Sequence, residues 1–183
     1  MIKKIIITLL FLFLLNSCSN KDTDNVSELQ NVKKDNFSIN IPSKRTLIES
    51  DSKTLPKTKV WKIDLVSISN EVTSGFSNNL LILSQNINKV IKSDEFSIIN
   101  NVWSTREYLN YTKLDSKKIE FDDKDISTLY IFEAKYNTTT PLFKYLQVWK
   151  VCDKKAYLLT IALSQDTKNT TEYENILQSF SCN

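Results

Sequence analysis

Three cysteines carry most of the chemistry open to this 183-residue chain: Cys18, Cys152 and Cys182. A thiol can be acylated, oxidised to a disulfide, or used as a nucleophile when a neighbouring base lowers its pKa. The usual base is histidine, and the sequence has none. That removes Ser-His and Cys-His nucleophile pairs and the commonest metal ligand together. A single glycine, Gly75, leaves no glycine-rich loop to cradle phosphates. Asp122-Asp123-Lys124-Asp125 could offer oxygens to a hard cation, but it lacks the alternating acidic spacing of a calcium loop and carries a lysine in its middle. A solvated turn between strands is the other reading. Trp61, Trp103 and Trp149, with seven tyrosines, could line a ligand cleft or fill the core. None of these residues is assigned as catalytic, cofactor-binding or metal-binding.

The setting of Cys18 is more informative. Met1-Ile2-Lys3-Lys4 is a basic start, Ile5 to Leu15 is apolar apart from Thr8, and Leu15-Asn16-Ser17-Cys18 closes the segment with a small residue. This is the pattern of a secretory signal peptide. The apolar run of about 11 residues is short beside the roughly 20 that span a bilayer. The Leu-x-Ser-Cys ending resembles the lipobox of bacterial lipoproteins. That resemblance implies removal of residues 1–17, acylation of Cys18, and a lipid-anchored protein of the bacterial cell envelope, at the outer membrane and facing periplasm or surface. A cleaved peptide without lipid and an uncleaved anchor are the alternatives. Asp22-Thr23-Asp24 loosely resembles a surface-export signal, and chance composition explains it as well.

Loss of Lys3 and Lys4 brings the 24 basic and 21 acidic residues to a net charge of about +1. With no basic block beyond Lys33-Lys34 and Lys117-Lys118, no nucleic-acid partner is expected. The remaining length suits one domain. Residues 18–35 read as a flexible polar tether, interrupted by Val26, Leu29 and Val32, and residues 36–183 as the globular domain.

The domain should open with a half-buried strand, Phe37-Ser38-Ile39-Asn40-Ile41-Pro42. Val60 to Ser69 and Leu80 to Ile87 are two more. Asp94 could cap a helix whose Phe96, Ile99, Val102, Trp103, Arg106 and Leu109 form one stripe at three-and-four spacing. Lys117 to Phe121, Thr128 to Tyr136, Leu142 to Val151 and Ala156 to Leu163 then read as strands joined by short connections, hence antiparallel. The last is apolar on both faces and belongs at a sheet centre. Thr171-Glu172-Tyr173-Glu174 fits a capping box, and Tyr173, Ile176, Leu177 and Phe180 form a helical stripe.

The strand–turn–strand with Tyr157-Leu158-Leu159-Thr160, the short helix ending Gln178-Ser179-Phe180, the opening Phe37–Pro42 strand and the segment from Asn79 to Ile87 resemble PsbP-like and DcrB-like domains. The likeness covers roughly residues 36–182. It implies an α+β fold: an α/β/α sandwich with a central antiparallel sheet of about six to seven strands and two main covering helices. The chain departs from that pattern in having no glycine at the 137–141 and 153–155 turns. The resemblance brings no catalytic residues. An even pair in an exported protein points to a Cys152–Cys182 disulfide, and a helix returning from Thr171 would carry Cys182 toward Cys152; two free thiols are the alternative.

These features lead us to expect a lipid-anchored, non-catalytic binding or interaction module with a protein or envelope component as partner. A carrier of a small hydrophobic ligand and an immunity-type inhibitor of an envelope-targeting enzyme are the competing expectations. The first calls for an exposed apolar or aromatic patch.

Overall fold

The computed structural model describes residues 28–49, 55, 61–72 and 74–183. Residues 1–17, Cys18 and Asp22-Thr23-Asp24 lie outside the described residues.

Seven strands form one antiparallel sheet in the order β3 (Arg45–Glu49), β4 (Lys62–Ser69), β5 (Asn79–Asn86), β9 (Lys155–Ser164), β8 (Phe143–Cys152), β7 (Ile126–Lys135) and β6 (Leu109–Glu120). β9 lies at the centre, as its two apolar faces require: Ala156, Tyr157, Leu159, Ile161 and Leu163 are all buried. Helix α1 (Ser93–Glu107) covers one face over β7 and β8. The other face carries a second sheet, β1 (Leu29–Lys34), β2 (Phe37–Pro42) and β10 (Ser181–Cys182), together with helix α2 (Thr171–Gln178). This is the expected α+β sandwich with one layer more elaborate than expected.

The extra sheet changes the domain's lower boundary. The tether expected over 18–35 includes β1, which pairs with β2 from Leu29↔Pro42 to Lys34↔Phe37. The strand escapes a hydrophobicity reading because it lies at an edge, alternating exposed and half-buried side chains. β2 holds it in place. Phe37, Ile39 and Ile41 point into the core, and burial of each aliphatic side chain contributes about 1.5–3 kcal/mol. Phe37 stacks on Phe180 at 4.9 Å and meets Tyr157 edge-on at 5.4 Å.

Helix α2 places Ile176, Leu177 and Phe180 in this core, with Tyr173 packed against it. Its start differs from the expected capping box by one residue. Thr170 is the N-cap and its hydroxyl donates to the Glu174 carboxylate at 2.8 Å, while Asn169 Oδ1 accepts from the Thr171 amide at 3.0 Å.

The two glycine-free hairpins are closed in different ways, one by side chains and the other by its backbone conformation. Asn137 Oδ1 accepts from the amides of Thr139 and Thr140 and from the Thr139 hydroxyl, building an Asx turn that needs no glycine. At the β8–β9 turn, Asp153 adopts φ 54°, the left-handed region that Asp tolerates better than most residues. Asp153→Val should therefore lower stability by about 1–2 kcal/mol in urea denaturation, while Asp153→Asn and Asp153→Gly stay within about 0.5 kcal/mol of the parent. A valine variant as stable as the parent would show that the turn relaxes to another geometry.

Candidate functional site

The acidic loop between β6 and β7 is the expected turn between strands, exposed over residues 122–124, and two of its aspartates are taken by a buried lysine. The five residues from Phe121 to Asp125 link the two strands, and a turn with Lys124 at φ 70° folds them back so that Phe121 N donates to Asp125 O. Asp123 and Asp125 thereby converge on Lys150, whose Nζ lies 2.8 Å from each. Lys150 is only 2 % exposed and sits 4.8 Å over the Phe121 ring. The cation this loop takes is thus a side chain of its own sheet. Burial alone would raise the Asp123 carboxyl, but the hydrogen bond and charge of Lys150, with the Cys182 and Asp125 amides, leave it below the ordinary carboxylate value.

Cys152 and Cys182 flank this hub. β10 runs antiparallel to β2 and delivers Cys182 to the end of β8, with Sγ atoms 1.97 Å and Cα atoms 5.8 Å apart, the geometry of a disulfide. The Cys182 amide donates to Asp123 Oδ2 at 3.3 Å. A cleft of about 500 Å³ opens beside them, lined by Ile91, Lys92, Asp123, Asp125, Lys150 and Cys182 among others. Two of its carboxylates, Asp123 and Asp125, are paired to the Lys150 ammonium.

The hub also sets α1. Ser93, its first residue, donates to Asp125 and accepts from the Val151 amide at 2.8 Å. One turn on, Ser97 Oγ donates to the Thr128 carbonyl at 2.8 Å. Ser104 donates to Gln147 Oε1, and Gln147 Nε2 in turn donates to Thr160 Oγ1 at 3.0 Å. The helix therefore lies on the sheet through a row of serines, with Phe96 as its one large buried side chain, 5.2 Å from Trp149. Asp94 is in the first turn and Lys92 is the N-cap, without a side-chain capping bond.

This reverses the expected orientation of the stripe. Of Phe96, Ile99, Val102, Trp103, Arg106 and Leu109, only Phe96 reaches the core, and Leu109 already belongs to β6. Ile98, Ile99, Val102 and Trp103 stand outward, 51 %, 57 %, 48 % and 60 % exposed. The three tryptophans divide accordingly. Trp149 is buried, Trp61 packs on it at 5.4 Å, and Trp103 faces outward. The signal was present as Ser93, Ser97 and Ser104, small polar residues at helical spacing opposite the apolar ones. Helix periodicity finds both faces without saying which one is inside.

No family model matches the chain, and no curated protein matches it. Among solved structures it is similar to the solution structure of cyanobacterial PsbP (CyanoP) from Synechocystis sp. PCC 6803. The TM-score is 0.58 at 11% identity, over 93% of this chain and 99% of that one. A crystal structure from Bacteroides thetaiotaomicron VPI-5482 aligns over 80% of this chain and 45% of its own, at 8% identity and TM-score 0.42. The first likeness is one of fold: the chain has a PsbP-like domain.

Two measurements follow from the hub. Unreduced protein should resist alkylation at Cys152 and Cys182 and gain two hydrogens in intact mass on reduction. Losing that closure of a loop spanning 30 positions should cost about 3–4 kcal/mol. Lys150→Met should cost about 1–3 kcal/mol at pH 7, below the figure for a fully buried pair because both aspartates are partly exposed. The folded-state pKa of Asp123 is depressed, so its contribution is complete above the unfolded value of about 3.9 and is lost as pH falls through the folded one. Parent and variant stabilities should converge below about pH 4; a difference unchanged in acid would exclude the ion pair as its source.

Proposed function

We propose that this protein is a lipid-anchored, non-catalytic binding module of the bacterial cell envelope, held at the membrane through Cys18 and engaging a protein or envelope component through the outer face of α1. The observation that carries the reading is the inverted helix, which buries serines and presents Ile98, Ile99, Val102 and Trp103 to solvent. An exposed apolar cluster on a helix is what a contact surface requires and what an isolated domain normally avoids. The absence of histidine and the neutralised Asp123–Lys150–Asp125 hub support a role without catalysis. An oxidising envelope compartment would also suit a Cys152–Cys182 bond. A hydrophobic-ligand carrier draws no support from the cleft beside the hub, whose lining includes Lys92, Asp123, Asp125, Lys150 and Asp153.

Two experiments test the reading. Cys18→Ser should abolish incorporation of labelled fatty acid and move the protein from the membrane to the soluble fraction; continued membrane retention without label would remove the lipid anchor. A photo-crosslinking residue at Ile99 in intact cells should give discrete adducts, whereas the same residue at Asn31 in β1, on the opposite layer, should give none. Equal labelling from both positions, or none from Ile99, would remove the α1 face as the contact surface.

A further inference from the structure

We infer that the occupant of the α1 face is a second copy of this chain, packed helix against antiparallel helix about a two-fold axis passing between Asn100 and Asn101. The inference rests on the reading of α1 as the contact surface and adds the identity of the partner.

The outward residues read Glu95, then Ile98-Ile99, then Val102-Trp103, then Arg106. At about 100° per residue all six fall within an arc of roughly 140°, one continuous stripe. Its order is symmetrical about the Asn100–Asn101 midpoint in position and opposite in charge at its ends. A two-fold contact uses the same patch on both copies, so the patch must be complementary to itself. In an antiparallel pair, positions equidistant from the midpoint meet. Glu95 then faces Arg106 of the other copy, with Ile98, Ile99, Val102 and Trp103 of both copies packed between the two charged ends. The Glu95–Arg106 contact occurs twice per dimer.

The charges are available for this use. Glu95 and Arg106 are exposed and make no ion pair among the described residues. Asp94, their neighbour, is committed elsewhere: Lys118 and the Thr128 hydroxyl, the latter at 2.6 Å, both donate to its carboxylate. Parallel packing would set Glu95 against Glu95 and Arg106 against Arg106, so the charges select the antiparallel arrangement. The acid end and basic end also agree with the helix dipole, which favours Glu95 in the first turn and Arg106 in the last. A single helix pair covers less than the roughly 800 Å² per partner of a standard interface. The dimer is therefore weak in solution and favoured by confinement at a membrane surface.

The test uses two differently tagged copies of the full chain, expressed together and crosslinked at the membrane of intact cells before extraction in detergent. Parent should co-purify with parent. Glu95→Arg should recover its own second copy roughly tenfold less, and so should Arg106→Glu. Glu95→Arg paired with Arg106→Glu restores both charge contacts and should recover to near the parent level, while Trp103→Ser fails in every combination. Unchanged helical circular dichroism and denaturation midpoints would confirm that these surface variants fold. Failure of the mixed pair to recover would overturn the inference, since a different partner has no reason to show mutual rescue. Parent that never captures parent while Ile99 crosslinks persist overturns the second copy and leaves the binding-module reading standing. Loss of both removes both.

Discussion

The Lys150 ammonium is the group that the rest of the arrangement must accommodate. It sits near the C-terminal end of β8, an interior strand, where its stem is packed and its head has almost no water. A charge so placed is costly unless paired and hydrogen-bonded, and one carboxylate from an exposed loop would leave it underserved. Asp123 and Asp125 answer from one side while the Phe121 ring faces it from another. Each aspartate then passes the constraint on. Asp125 takes the Ser93 hydroxyl and fixes the first turn of α1, and Asp123 takes the Cys182 amide and fixes the end of the chain. One cation thus couples β8, the β6–β7 loop, α1 and β10.

The orientation of α1 follows from this coupling and can be weighed. Turning the helix to bury Ile98, Ile99, Val102 and Trp103 would gain about 1–1.5 kcal/mol for each half-exposed side chain, about 4–6 kcal/mol together. The same rotation would strip hydrogen-bond partners from the Val151 amide, Gln147 Oε1 and the Thr128 carbonyl. A buried polar group left without a partner costs about 1–3 kcal/mol, so three of them, about 3–9 kcal/mol together, match the apolar gain. The helix lies with its serines inward because the sheet beneath it is polar along that line. The apolar stripe is what remains outside, and contact with another surface can recover the burial that folding forgoes.

Much of the fold was legible. β4, β5, β7, β8 and β9 announce themselves by alternation or by runs of β-branched and aromatic residues, and the central place of β9 follows from its two apolar faces. The Cys152–Cys182 pairing geometry follows from the return of α2. What escaped has physical reasons. β1 carries few apolar residues because an edge strand over a covered sheet needs few. β6 extends back to Leu109 through two register shifts that break its alternation. The role of Asp123 and Asp125 was unreadable from their own neighbourhood, yet Lys150 stood as a clue between Trp149 and Val151, a lysine in an apolar strand that had to find acids somewhere. The buried face of α1 is not legible from its apolar side alone, because the deciding partners, Gln147, Thr160 and the Thr128 carbonyl, lie far away in sequence.

The two layers would also divide the labour of the proposed tethered protein. β1 belongs to the sheet that covers one face of the core, and α1 covers the other. With Cys18 as the proposed anchor, the segment from it to Glu28 reaches at most about 35 Å when fully extended. The attachment therefore enters the domain on the layer opposite the contact face. An antiparallel α1 pair would place both β1 strands on the outer sides of the dimer, so neither tether crosses the interface. A short tether of that kind would confine the domain to a thin shell above the membrane, where even a weak self-contact is reached often. Anchor and apolar helix would then act in series: the first would supply the local concentration that the second, too small to associate strongly alone, depends on.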